Sequence, residues 1–190
     1  MSRIDDILKD SFHEDGTILI LRDKYIGIRG CMELATKEIL KTVKQLILPG
    51  NQIADEGLEA LAESPYLENL ELLNANHNEI GDDGAIALAN SKNLKNLETL
   101  DLSFNRVGDL GAEALAKSTC LKNLKVLHLD ANRIGFKGMQ ALAELSGLQN
   151  LETLNITYNL VHPQGLALLD NSERLQNLGK VKTDILKAED

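Results

Sequence analysis

The sequence predicts an α/β repeat fold in which a short strand, a turn, a helix and a return segment recur every 27 residues. Two rows of residues carry that prediction. Asn51, Asn78, Asn105, Asn132 and Asn159 stand 27 apart, and Gly57, Gly84, Gly111, Gly138 and Gly165 keep the same interval. A fixed period of this order marks a stack in which each unit buries its apolar face against its neighbours.

The strings VKQLILPGNQI, LELLNANHNEI, LETLDLSFNRV, LKVLHLDANRI and LETLNITYNLV share the pattern apolar-x-x-L-x-apolar-x-x-N-x-(Ile/Val). Side chains alternate along a strand, so Leu100 and Leu102 point inward while Thr99, Asp101 and Ser103 point outward. A helical string follows each strand, as in GAEALAKSTCL, where Leu115, Ala116 and Leu121 face the strand of their own unit. Ala60, Ala87, Ala114 and Ala141 recur where a small side chain lets neighbouring helices approach. Stepping one period back from the first clear unit finds Leu19, Leu21, Ile26, Gly30 and Leu34 in the matching slots, with Lys24 where Asn belongs.

These matches divide the chain into an N-terminal cap (residues 1–15), six repeats over 16–177, and a terminal strand with a short acidic tail over 178–190. Residues 16–42 form a degenerate repeat and 43–177 the regular ones. Within the cap, residues 2–13 read as a helix, because Ile4, Ile7, Leu8 and Phe12 share one face and Ser2 and Asp5 stand three apart like a capping box. Leu178, Val181 and Thr183 match strand slots at the other end.

Composition narrows the function classes. The chain has 190 residues, 20 Lys and Arg against 29 Asp and Glu, and a formal net charge of −9. Its 36 Leu argue against a disordered tail. No apolar run approaches 18 residues, so no membrane span is expected. The opening MSRIDDILKD places acids where a secretory signal carries an apolar stretch. At −9, a nucleic-acid partner must first overcome phosphate repulsion and is not expected.

The LxxLxLxxN pattern followed by a GxxxLA helix resembles the leucine-rich repeat proteins of the ribonuclease-inhibitor-like class. The match is strict over 43–169 and loose over 16–42. The resemblance implies a right-handed solenoid bent into a horseshoe arc, with parallel strands on the concave face, helices on the convex face, and protein binding as the usual role. The uniform 27-residue period, few repeats and absence of patterned Cys depart from ribonuclease inhibitor itself, so its inhibitory activity is not carried over. The compact IGDDGAIALA type of repeat also resembles effectors of this family that intracellular bacteria of the Legionella type deliver into host cells.

Most of the polar rows have structural work to do. The ladder Asn51, Asn78, Asn105, Asn132 and Asn159 sits where the chain turns out of the strand and leaves backbone groups that need partners. A second row, Asn69, Asn96, Asn123, Asn150 and Asn177, precedes each strand and reads as turn chemistry. Asp55, Asp82 and Asp109 stand two residues before the repeating Gly and suit a helix N-cap. The glycines either take positive φ or permit close backbone approach.

Chemistry is then left to outward positions. Asp101, Ser103, His128 and Asp130 form the richest cluster, with His128 expected beside Asp101. A hydrolase reading fails for lack of oxyanion donors, since strand N–H groups are already paired. A weak metal-dependent hydrolase at Asp101, His128 and Asp130 is an alternative, although no two-His ligand motif occurs. No GxGxxG or P-loop string occurs, so no cofactor and no resident metal are expected. Cys31 and Cys120 lie three units apart, about 14 Å, too far for a disulfide.

The expected partner-binding face comprises Leu72, Asn74, Asn76, His77, Thr99, Asp101, Ser103, Phe104, Val126, His128, Asp130, Thr153, Asn155, Thr157 and Tyr158. This mix of short polar groups and rings suits a protein interface. Phe104 and Tyr158 are anchor types, or else merely cover the turn. Charges from strand start to turn sum to −4 over repeats two to five, which favours a neutral to mildly basic protein partner. The chain is therefore expected to be a monomeric, non-enzymatic interaction module, cytoplasmic or delivered into a host cytosol by a non-classical route. The alternative from another class is a regulator of a small GTPase, by resemblance to leucine-rich activators of Ran, with Arg106 and Arg133 as its candidate residues.

Overall fold

Three residues of strand and eight to ten of helix are all that each repeat needs to cover one layer of leucines. In the computed structural model, which describes residues 2–13, 15–160 and 162–183, the strands are β1 (Phe12–His13), β2 (Ile18–Ile20), β3 (Gln45–Ile47), β4 (Leu72–Asn74), β5 (Thr99–Asp101), β6 (Val126–His128), β7 (Thr153–Asn155) and β8 (Lys180–Lys182). They form one sheet in chain order. From β2 to β8 the strands are parallel and without slip, so that Leu73 pairs with Leu100, Leu100 with Leu127 and Leu127 with Leu154.

The helices are α1 (Arg3–Leu8), α2 (Gly27–Ala35), α3 (Ala54–Glu63), α4 (Asp82–Ala89), α5 (Asp109–Ala116), α6 (Phe136–Glu144), α7 (Pro163–Asp170) and α8 (Glu173–Gln176). A 3-10 turn over Glu38–Thr42 closes the degenerate first repeat. Neighbouring strands sit about 4.8 Å apart while packed helices need about 8–10 Å, so the stack bends with its sheet on the inside. Between the layers, Leu46, Leu73, Leu100, Leu127 and Leu154 meet Leu61, Leu88, Leu115, Leu142 and Leu169, all at most 2% exposed. Each such leucine contributes about 1.5–3 kcal/mol by burial.

The cap differs from the helix expected over 2–13. The Ser2–Asp5 capping box is present, with the Ser2 N–H donating to Asp5 at 2.9 Å and the Asp5 N–H to Ser2 at 3.2 Å. The helix nevertheless stops at Leu8, because the Ser11 hydroxyl donates to the Ile7 carbonyl at 2.6 Å and the Ser11 N–H to that of Leu8. Phe12 then packs on the core from a strand that pairs antiparallel with β2. Of the terminal strand and acidic tail expected over 178–190, residues 184–190 lie outside the described residues.

Candidate interaction surface

What positions the outer face is a set of side-chain rows that bolt each coil to the one before it. Along the Asn ladder, the Asn105 carboxamide donates to the carbonyls of Ala75 and Leu102, each at 3.0 Å, and of Ser103 at 3.2 Å. Its oxygen accepts the N–H of Asn78 at 2.9 Å and of Ile80 at 3.0 Å. Asn51, Asn78 and Asn132 are equally buried in this way, and Asn159 is half-buried at the end of the row. In the second row, Asn69, Asn96, Asn123 and Asn150 each donate to a carbonyl 28 residues back. Asn177 departs from the row and donates to Glu173 of its own helix.

The acidic row serves a different partner from the one expected. Asp55, Asp82 and Asp109 do not cap their own helices: each lies in the first turn of its helix and accepts N–H groups from the next coil. Asp55 takes those of Gly81 and Gly84 at 2.7 and 2.9 Å, and Asp109 those of Gly135 and Gly138 at 2.7 and 2.8 Å. The N-cap residues of α4, α5 and α6 are glycines without a capping side chain, so the neighbouring carboxylate does that work. The choice left open for the repeating Gly is thereby resolved: a Cβ on Gly84 would stand 2.7 Å from the Asp55 carboxylate, so close approach excludes it.

A fourth row escaped the sequence reading. The hydroxyls of Ser64, Ser91, Ser118 and Ser172 donate to the carbonyls of Ala35, Ala62, Ala89 and Ala143 in the preceding helix. Leu145 holds the same slot in the fourth regular repeat, with φ 38°, and the Gly147 N–H donates to the Ala116 carbonyl at 2.9 Å in place of a serine. The 27-residue spacing of these serines was the available signal.

On the sheet face the outward columns are half-buried, and pairing sets Asp101 beside His128. Ser103, expected as a contact residue, is only 7% exposed. Its hydroxyl and N–H both donate to Asp101, which draws the side chain in towards the sheet. Asp101 also receives the Asn76 amide at 3.2 Å, and Asp130 that of Asn155 at 2.7 Å. Burial pushes the Asp130 carboxyl above its usual range, and the nearby Asp101 adds to this. Among the described residues, no group of three His, Cys, Asp or Glu side chains is placed to hold a metal ion. Lys180 and Lys182, one period beyond Thr153 and Asn155, are exposed at the end of the same columns and were missed in the contact set.

The rings sit at one edge of this face in a demanding conformation. The residue before each ladder Asn has positive φ, as has Asp23 before Lys24 in the degenerate repeat: Asp23, Gly50, His77, Phe104, Ala131 and Tyr158 stand at 53°, 69°, 54°, 55°, 53° and 58°. Phe104 and Tyr158 are 50% and 76% exposed. The His77 and Phe104 rings stack at 4.4 Å between centroids and 13° between planes. Beside them runs a groove of ≈ 420 Å³ lined by His77, Phe104, Gln52, Glu79, Arg106 and Arg133 among others. Arg106 is held by Glu79 at 2.8 Å. Cys31 and Cys120 are both free thiols, and burial pushes that of Cys31 far up.

These features define an α/β solenoid of stacked strand–helix repeats, within which leucine-rich repeats are recognised. Residues 68–117 and 95–138 match two copies of the Leucine Rich repeats family model, and residues 40–62 match a second Leucine Rich repeat model. Among solved structures, the chain is similar to an internalin from Listeria monocytogenes, at 24% identity and a TM-score of 0.55. That likeness covers 81% of this chain, which spans 38% of the internalin. It is also similar to the leiomodin-1 actin-binding site 2, at 16% identity and a TM-score of 0.58, over 69% of this chain and 79% of that one. None of the curated proteins compared matches the chain.

Proposed function

We propose that the chain is a non-enzymatic protein-interaction module whose concave face grips a protein partner. The observation that carries this reading is the ring row. Bulky side chains at positive φ cost about 1–2 kcal/mol each relative to glycine, yet Phe104 and Tyr158 hold such positions while largely exposed. Exposed rings beside a half-buried, hydrogen-bonded polar sheet have the composition of an interface centre. The acidic centre at Asp101 and Asp130 favours a partner that is neutral or mildly basic.

The test combines Asp101→Ala, Phe104→Ala and Tyr158→Ala. Crosslinked capture from lysate is expected to be abolished while the chain stays cooperatively folded, its melting temperature lowered by about 2–10 °C through the hydrogen bonds that Asp101 accepts from Ser103 and Asn76. Full capture by this variant sinks the reading. Action in a cytosol, including a host cytosol reached by a non-classical route, is part of the proposal. Loss of delivery in a translocation reporter on deleting residues 183–190 supports that route, and unchanged delivery removes the tail from it.

A further inference from the structure

Resting on the protein-binding reading above, we propose that the groove lined by the His77–Phe104 stack and Arg133 takes an extended, acidic, ring-bearing segment of the protein partner. The groove runs across the coils rather than along them. Its lining steps from Gln52 through Glu79 and Arg106 to Arg133, one residue from each of four successive coils. Three strand spacings of about 4.8 Å make about 14 Å, the reach of about four extended residues. At ≈ 420 Å³ the space falls in the range of about 300–1,000 Å³ typical of ligand sites.

Charge selects the occupant. In a chain of net charge −9 this lining carries two guanidinium groups. Arg106 is neutralised by Glu79, but Arg133 is exposed and has no carboxylate partner among the described residues. A free guanidinium matches a carboxylate bidentately. The same groove offers the flat, half-exposed Phe104 ring, already stacked on one side by His77, against which a ring of the incoming segment packs. Gly50, the same slot two coils before Phe104, fits the turn without a side chain, so the fold itself does not require a ring here. The acidic concave centre repels the same segment, so an acidic stretch is directed to the flank while a basic surface is held on the sheet.

The probe is an acetylated, amidated pentapeptide with two glutamates flanking a tryptophan and glycine at each end, compared with its glutamine isostere. Amide shift mapping on the full chain at low ionic strength is expected to show saturable changes at Gln52, Phe104, Arg106 and Arg133. Affinity should fall about tenfold for the isostere and for Arg133→Gln, the size of one lost charge-assisted contact. No saturation at millimolar peptide, equal binding of the isostere, or shifts confined to β4–β7 overturns the proposal. A protein partner still captured by Arg133→Gln but lost on combining Asp101→Ala with Tyr158→Ala also overturns it, and leaves the concave-face reading standing. Arg133 makes no side-chain hydrogen bond or ion pair among the described residues, so an unchanged melting temperature is the control.

Discussion

The Asp82 carboxylate accepts the backbone N–H groups of Gly108 at 2.7 Å and Gly111 at 2.8 Å, and so caps a helix that starts 27 residues after its own. Helix capping here is a bond between coils. Asp82→Ala leaves both donors without an acceptor and is expected to cost about 1–3 kcal/mol in urea unfolding. Asp82→Asn keeps an acceptor oxygen and should cost less than the alanine change. A loss below about 0.3 kcal/mol for Asp82→Ala would mean that the clamp is not stabilising.

The ladder grades along the chain. Asn105→Ala strips five hydrogen bonds from buried backbone groups, whereas Asn159 is half-buried. The expected losses are about 3 kcal/mol or more at Asn105 and about 1–2 kcal/mol at Asn159 by chemical denaturation. Equal losses would show that burial does not set the cost.

The left-handed slot separates stability from binding. Ala131→Gly should raise stability by about 0.5–1 kcal/mol, because glycine takes φ 53° without a Cβ clash. Phe104→Gly removes the same strain but also the stack on His77, so its stability gain should be smaller while partner capture is lost. A thermal melt showing Ala131→Gly destabilised would refute the strain assigned to this position.

Acid should release the cap before the coils. Asp5 is drawn down to about 2, chiefly by the Lys37 ammonium and then by the Ser2 N–H. Glu33 is lowered by the Ser2 hydroxyl and by Lys37. Carboxylates lowered in the folded state contribute stability above their unfolded values and lose it as pH falls through the folded ones. The Ile4 amide resonance is therefore expected to shift towards its disordered position between about pH 4 and 2, ahead of Leu100. Lys37→Met should move that transition to higher pH; an unchanged midpoint would exclude Lys37 as its cause.

Strand positions, register and the ladder were legible because one residue type at one interval admits a single geometric reading, as at Asn105. The acidic row was visible but misassigned. Asp82 lies as near to its own helix start in sequence as Gly108 does in space, and spacing alone does not distinguish the two. The cap helix was overextended because Phe12 fits the apolar face of a helix as well as that of a strand, and the deciding bond is the Ser11 hydroxyl to Ile7. On the candidate surface, alternation set Ser103 outward, whereas its bonds to Asp101 draw it in. Of the serine row, only the repetition at Ser64, Ser91 and Ser118 was available, and Leu145 interrupts it.

The clamps at Asp55, Asp82 and Asp109 are interchangeable, so duplicating 27 residues between equivalent points there would lengthen the arc without a new kind of joint. After Asp109 the next slot holds Phe136, and the glycine opposite becomes His162, whose ring meets it at 5.4 Å. Growth by gene duplication is thus chemically free in the middle of the molecule and ends at an aromatic seam, where a spliced-in copy would find no carboxylate waiting for it.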